Sequence, residues 1–92
     1  MNYKLVITDT YQKRVKKFLK KHPDMFSRYA KAITILERDP FHPSLRRHTL
    51  KGKLKEYSSV SINMEYRIVI DFIIENDEII PIDIGNHDEV YR

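Results

Sequence analysis

Between residues 11 and 36 apolar side chains recur every three or four positions, and from Tyr57 onward they alternate with polar ones. The first period belongs to α-helix and the second to β-strand. Lys4-Leu5-Val6-Ile7 reads as a short first strand, and Thr8 or Asp9 stands where a cap for the following helix is needed. In that helix Tyr11, Val15, Phe18 and Leu19 make one apolar stripe, while Lys13, Lys16, Lys17, Lys20 and Lys21 occupy the rest of the cylinder. His22-Pro23 ends it, because a residue before proline is pushed out of the α region. Asp24 is placed to cap a second helix with the stripe Phe26, Tyr29, Ala30, Ile33 and Leu36, stopped by Asp39-Pro40. Two amphipathic helices joined by one tight turn form an antiparallel hairpin whose apolar side needs a partner.

The partner follows in sequence. Phe41 to Lys55 is a basic connecting segment carrying Arg46, Arg47, His48, Lys51, Lys53 and Lys55. Tyr57 to Ile62 then reads as a strand, Asn63-Met64-Glu65 as a reversal, and Tyr66 to Ile74 as a longer strand rich in β-branched residues. Glu75-Asn76-Asp77-Glu78 is a polar turn into a last strand, Ile79 to Ile84. The order β-α-α-β-β-β predicts an α+β domain over residues 1–92, with the helical hairpin packed on one face of a mainly antiparallel sheet. Tyr66, Ile68, Ile70, Phe72 and Ile74 share the face that meets the helices. Arg67, Val69 and Asp71 point to the other face, with Asp83 expected beside them, and that face is the natural floor for a site.

Ninety-two residues make one domain, and 41% hydrophobic content is enough for a modest core. With no cysteine there is no disulfide framework, thiolate nucleophile or zinc–thiolate site. No apolar run approaches the roughly 20 residues of a membrane span, and no signal-peptide pattern opens the chain, so a soluble cytoplasmic protein is expected. Charge adds an asymmetry. Residues 1–56 hold 15 of the 17 Lys and Arg against 5 acids, whereas residues 57–92 hold 2 against 8. So basic a half attracts polyanions, although a solvated lysine-rich helix has the same composition.

The reactive side chains gather at the end of the last strand, where Gly85-Asn86-His87-Asp88-Glu89-Val90-Tyr91-Arg92 puts an imidazole, a phenol and a guanidinium within six positions. Metal-free RNA cleavage needs a base for the 2′-OH, an acid for the departing 5′-oxygen, and donors for the charge on phosphorus. Histidine suits either proton role near neutral pH. Of the four histidines, His22 and His42 each precede a proline in a turn and suggest local roles. His48 in the basic loop and His87 after the last strand are placed to converge on the open sheet face. Arg67 offers a cation there, or pairs with Asp71 or Asp83 across the sheet. Asp83, His87 and Asp88 have metal-ligand chemistry, but the neighbouring cations oppose a metal. No phosphate loop, paired metal-binding histidines or nucleophile elbow is present.

These residues resemble the RelE/ParE superfamily of small bacterial toxins. The local matches are His48-Thr49-Leu50-Lys51-Gly52, Glu65-Tyr66-Arg67-Ile68-Val69-Ile70 and Ile84-Gly85-Asn86-His87-Asp88-Glu89-Val90-Tyr91. Together they look like the YafQ and RelE/StbE branch of ribosome-dependent mRNA interferases. The resemblance implies a type II toxin that cuts mRNA on the ribosome without metal or other cofactor, contacts ribosomal RNA, and is neutralised by a cognate antitoxin. It implies catalytic roles for His48, Glu65, Arg67 and His87, and substrate contacts for Arg47, Lys51, Lys53, Tyr91 and Arg92. Two positions depart from the pattern. Ser61 stands where the branch has a histidine, and Asp83 where it has an arginine before the final glycine. Losing that cation costs about 2–4 kcal/mol of transition-state stabilisation unless Arg67 compensates. Two rival readings share the features: a gyrase-inhibiting toxin of the ParE type, and an RNA- or ribosome-binding protein without turnover.

Overall fold

The computed structural model describes residues 3–50, 57–73, 77–86 and 90. Strand β1 (Lys4–Leu5) leads into helix α1 (Asp9–Lys21), a 3-10 turn (Pro23–Met25) and helix α2 (Phe26–Arg38). A second 3-10 turn (Pro43–Leu45) precedes β2 (His48–Thr49), followed by β3 (Ser58–Ser61), β4 (Tyr66–Ile73) and β5 (Glu78–Asn86). The sheet order is β1-β5-β4-β3-β2, antiparallel throughout except for the parallel pair β1 and β5. The two helices and the sheet therefore form the expected α+β architecture. One strand is added: β2, drawn from the segment expected to be a plain connector.

Local chemistry explains most of the boundaries. Thr8 Oγ1 accepts from the Tyr11 amide at 3.1 Å, so threonine rather than Asp9 caps α1. Both helices stop just short of a proline-directed turn, α1 at Lys21 and α2 at Arg38. Asp24 caps nothing: the 3-10 turn feeds straight into α2, whose N-cap position is Met25 with no side-chain cap. Of the expected stripe, Tyr29, Ile33 and Leu36 pack on the core. Met25, Ala32 and Leu36 are buried, whereas Phe26 is 55% exposed and Ala30 lies outside. At the β3–β4 reversal Asn63 Oδ1 accepts from the amides of Glu65 and Tyr66, at 2.9 and 2.7 Å.

The core lies between the helices and one sheet face. Tyr11, Phe18 and Leu36 meet Val60, Ile68, Ile70, Ile79 and Ile84 there. Each large side chain so buried contributes about 1.5–3 kcal/mol. The Tyr11 and Tyr29 hydroxyls, 3.0 Å apart, tie the two helices together. Burial raises both phenols above the ordinary tyrosine value, Tyr11 well above it; at Tyr29 the bond to Tyr11 partly offsets the rise. His22 has a local role, as expected: its ring packs on Phe18 and Tyr66, and its Nδ1 lies 3.3 Å from the Tyr66 hydroxyl. His42 is also local, accepting from the Ser44 amide at the start of the second 3-10 turn.

Strand β5 is irregular. Val69 pairs with Asp83 but Ile70 pairs with Pro81, so Ile82 has no rung of its own. Proline cannot donate to the ladder, and such a break is a natural place for a bulge. Ile79 and Ile84 both join the helix-side core, although five residues apart on a regular strand would put them on opposite faces. Asp83 stands opposite Val69, and its carboxylate reaches Arg14 of α1 at 3.6 Å. Asp83 keeps the register of the face where it was expected, but its partner is Arg14 of α1 rather than Arg67.

Candidate functional site

On the face away from the helices, β4 presents Arg67, and β3 presents Ser59 and Ser61. Arg67 stands opposite Ser61 on β3 and Gly85 on β5, while Ser59 stands opposite His48 on β2. The register therefore delivers His48, Ser59 and Arg67 to one place. Arg67 Nε donates to Ser59 Oγ at 2.8 Å. Its Nη2 lies 2.6 Å from the Arg46 carbonyl, 3.2 Å from the Ser59 carbonyl and 3.3 Å from His48 Nδ1. Arg46 offers its carbonyl from a left-handed backbone, φ 46° and ψ 45°, at the end of the second 3-10 turn.

Ser59 is fully buried and Arg67 is half-buried, while His48 is exposed. This gradient gives a guanidinium anchored in the sheet beside an imidazole open to solvent. An arginine so fixed presents a planar cation suited to an anion such as phosphate. Clefts of about 450, 430 and 350 Å³ lie against α2, the β3–β4 reversal and α1; the first two reach Ser61 and the second also Arg46, but none is lined by His48, Ser59 or Arg67. An open cationic surface of this kind suits a polymer better than an enclosed small molecule.

The face is not bare. Val69, Leu50 and Val90 are buried together, with Tyr57 and Ile82 packed beside them. This second cluster covers the part of the sheet beyond Arg67 that was expected to be open. It also anchors Val90, four residues after Asn86, the last residue of β5, which pairs with Tyr66 beside Arg67.

Of the nine residues expected at the site, the structure brings His48 and Arg67 into contact. Arg47 turns the other way: its Nη1 donates to Ser58 Oγ at 3.1 Å, and its guanidinium sits 5.2 Å from the Phe41 ring centroid. Ser58 stands opposite Ile70, a helix-side position. Glu65 is exposed at the tip of the β3–β4 hairpin. Lys51, Lys53, His87, Tyr91 and Arg92 lie outside the described residues. The sequence reading missed Ser59 and the Arg46 carbonyl, both partners of Arg67. Ser59 had a legible signal: a small polar residue two places from Ser61 on a strand, hence on the same face. The Arg46 carbonyl had none.

Asp83 is committed to Arg14, and among the described residues no cluster of three metal-ligating side chains occurs. Nor, among those residues, is any helix long and apolar enough to cross a membrane.

Known proteins place this arrangement. The profile of a family described as a bacterial toxin of type II toxin–antitoxin system, YafQ, matches residues 3–92. No curated protein matches the sequence. A copper-bound mutant toxin from Helicobacter pylori is 28% identical, with a TM-score of 0.72 over 97% of this chain and 99% of that one. The DinJ–YafQ toxin–antitoxin complex of E. coli superposes with a TM-score of 0.78 at 18% identity, over 100% of both chains. A YoeB/ParE toxin from Agrobacterium tumefaciens gives 0.72 at 23% identity, over 91% of this chain and 98% of that one. The last two likenesses speak to the fold alone. With the match running from residue 3 to residue 92, the chain belongs to the YafQ family of bacterial type II toxin–antitoxin toxins.

Proposed function

We propose that this toxin is a ribosome-dependent mRNA endoribonuclease that acts in the cytoplasm and stops translation. The observation that carries the reading is the 3.3 Å contact between Arg67 Nη2 and His48 Nδ1 on an exposed sheet face. A cation for the phosphate and a proton carrier are together there, as phosphodiester cleavage requires.

In the reaction, a base removes the 2′-OH proton and O2′ bonds to the adjacent phosphorus. The bond from phosphorus to O5′ breaks, and an acid protonates the departing oxygen, leaving a 2′,3′-cyclic phosphate and a 5′-hydroxyl. His48 and His87 are the acid–base pair, with Glu65 orienting one of them or serving as base. Arg67 holds the charge on phosphorus. Arg47, Lys51, Lys53 and Arg92 contact the RNA backbone or ribosomal RNA, and Tyr91 stacks on a base. These side chains supply the proton carriers and cations, so the scheme draws on no metal or cofactor.

The E. coli relative was solved bound to an antitoxin. A cognate antitoxin with an acidic or amphipathic segment suits this chain too, whose first 56 residues carry 15 of its 17 basic side chains. The test is induction in cells with mapping of mRNA ends. Translation should stop first, with new 5′-hydroxyl ends within reading frames, and His87→Ala should abolish both. Early arrest of DNA replication with intact mRNA would show a gyrase poison instead, and bound but uncut mRNA a non-catalytic binder.

A further inference from the structure

Arg67 is fixed within the protein itself, with no substrate present. Its Nε bonds Ser59 Oγ, and among the described residues its Nη2 faces the Arg46 carbonyl, the Ser59 carbonyl and His48 Nδ1. Nη2 carries two hydrogens. The shortest of these contacts is the 2.6 Å bond to Arg46, with the Ser59 carbonyl and His48 Nδ1 at 3.2 and 3.3 Å. A guanidinium has no lone pair to offer, so His48 Nδ1 must be the acceptor. The proton of the neutral ring then sits on Nε2.

Ser59 controls this geometry twice. Its hydroxyl holds Nε and its carbonyl holds Nη2, while its own place is set by pairing with His48 on one side and Val69 on the other. It is 0% exposed, so its hydroxyl has little room to turn elsewhere. We propose that Ser59 is a positioning residue that turns the Arg67 fork toward β2 and thereby holds His48 in the Nε2–H form. His48 then meets the substrate as a hydrogen-bond donor. This rests on the nuclease reading above and narrows it. A ring with its proton on Nε2 and its Nδ1 lone pair committed to Arg67 is not the group that takes the 2′-OH proton. That task falls to His87 or Glu65.

Nitrogen-15 NMR of the imidazoles, recorded on the full chain near neutral pH without RNA, tests the claim; His48→Ala supplies the assignment. The parent should show His48 protonated on Nε2. Ser59→Ala should give averaged tautomer shifts and lower kcat on ribosome-bound mRNA about tenfold, with KM within twofold, as for loss of one charge-assisted hydrogen bond. Ser59→Thr, which keeps the hydroxyl, should recover the tautomer and most of the rate. A parent spectrum showing the Nδ1–H form overturns the inference. So does Ser59→Ala with an unchanged tautomer and a kcat within twofold of the parent. If Ser59→Ala does not fold, the parent tautomer and Ser59→Cys decide. A chain with the stated tautomer that never cuts RNA ends the nuclease reading and leaves the geometry standing; one that cuts with Nδ1–H does the reverse.

Discussion

Strand β4 serves two surfaces at once. Toward the helices it turns Ile68 and Ile70, both 0% exposed, into a core shared with Val60, Leu36 and Tyr11. Toward the other side it turns Arg67, held by hydrogen bonds to Ser59, Arg46 and His48, and Val69, covered by Leu50 and Val90. The first surface is apolar and continuous, so its energy comes from area removed from water. The second is polar and built from single contacts, so its order depends on hydrogen bonds placed by the register. The difference teaches that one strand carries stability and chemistry on alternate residues, and that each can be damaged without the other.

The largest effect should come from the polar face. His48→Ala is expected to lower RNA cleavage by about 10²–10⁴-fold with thermal unfolding nearly unchanged. A variant that still cuts at the parental rate breaks the proposed division. On the apolar face, Ile70→Ala should lower stability by about 2–5 kcal/mol in urea unfolding, with unchanged activity per folded molecule. Activity lost well before the fold would show that the two faces are coupled. Alkali sharpens the same contrast from the core side. Burial raises the Tyr11 phenol above its ordinary value of 10.0, so the folded state keeps a proton that the unfolded chain releases. Stability is therefore full below about pH 10 and falls as pH rises beyond it. Tyr11→Phe should flatten that decline, read as unfolding midpoints between pH 8 and 11. Thr8→Ala should cost about 1 kcal/mol through loss of the α1 cap. The smallest effect is expected from Arg14→Ala. Its partner Asp83 is 3.6 Å away and both side chains are substantially exposed, so a change beyond about 0.5 kcal/mol would be a surprise.

Much of the apolar face was legible in the sequence, and less of the polar one. Tyr11, Phe18, Ile68 and Ile70 follow periods of 3.6 and 2, which local pattern reveals, and His22-Pro23 and Asp39-Pro40 stop the helices where they were expected to. The misreading of α2 is confined to Phe26 and Ala30. The 3-10 turn over Pro23–Met25 puts Met25 in the core before the helix starts and leaves Phe26 exposed, while Tyr29, Ile33 and Leu36 join the core as expected. Strand β2 is two residues long, too short to show any period. A bulge reverses the alternation of β5, and nothing in Ile80-Pro81-Ile82-Asp83 except the proline warns of it, so the pairing of Asp83 with Arg14 was not legible. The cluster of Leu50, Val69 and Val90 draws one residue from each of three distant segments. Such a contact is a property of the topology, not of any window of sequence. At the site itself, His48 and Arg67 were readable as types of side chain, but their meeting rests on the β2–β3–β4 register.

Arg46 was read as one cation among several, yet it meets Arg67 through its backbone. The carbonyl reaches Arg67 only because residue 46 adopts a left-handed conformation, which is unfavourable for most side chains. In a library of variants, position 46 should accordingly sort by shape and ignore charge. Glycine and asparagine would be accepted, while valine and isoleucine would be rejected for a penalty of about 1–2 kcal/mol. A mutational scan scored by charge alone would misjudge this residue, because what it lends the protein is the direction of a carbonyl group.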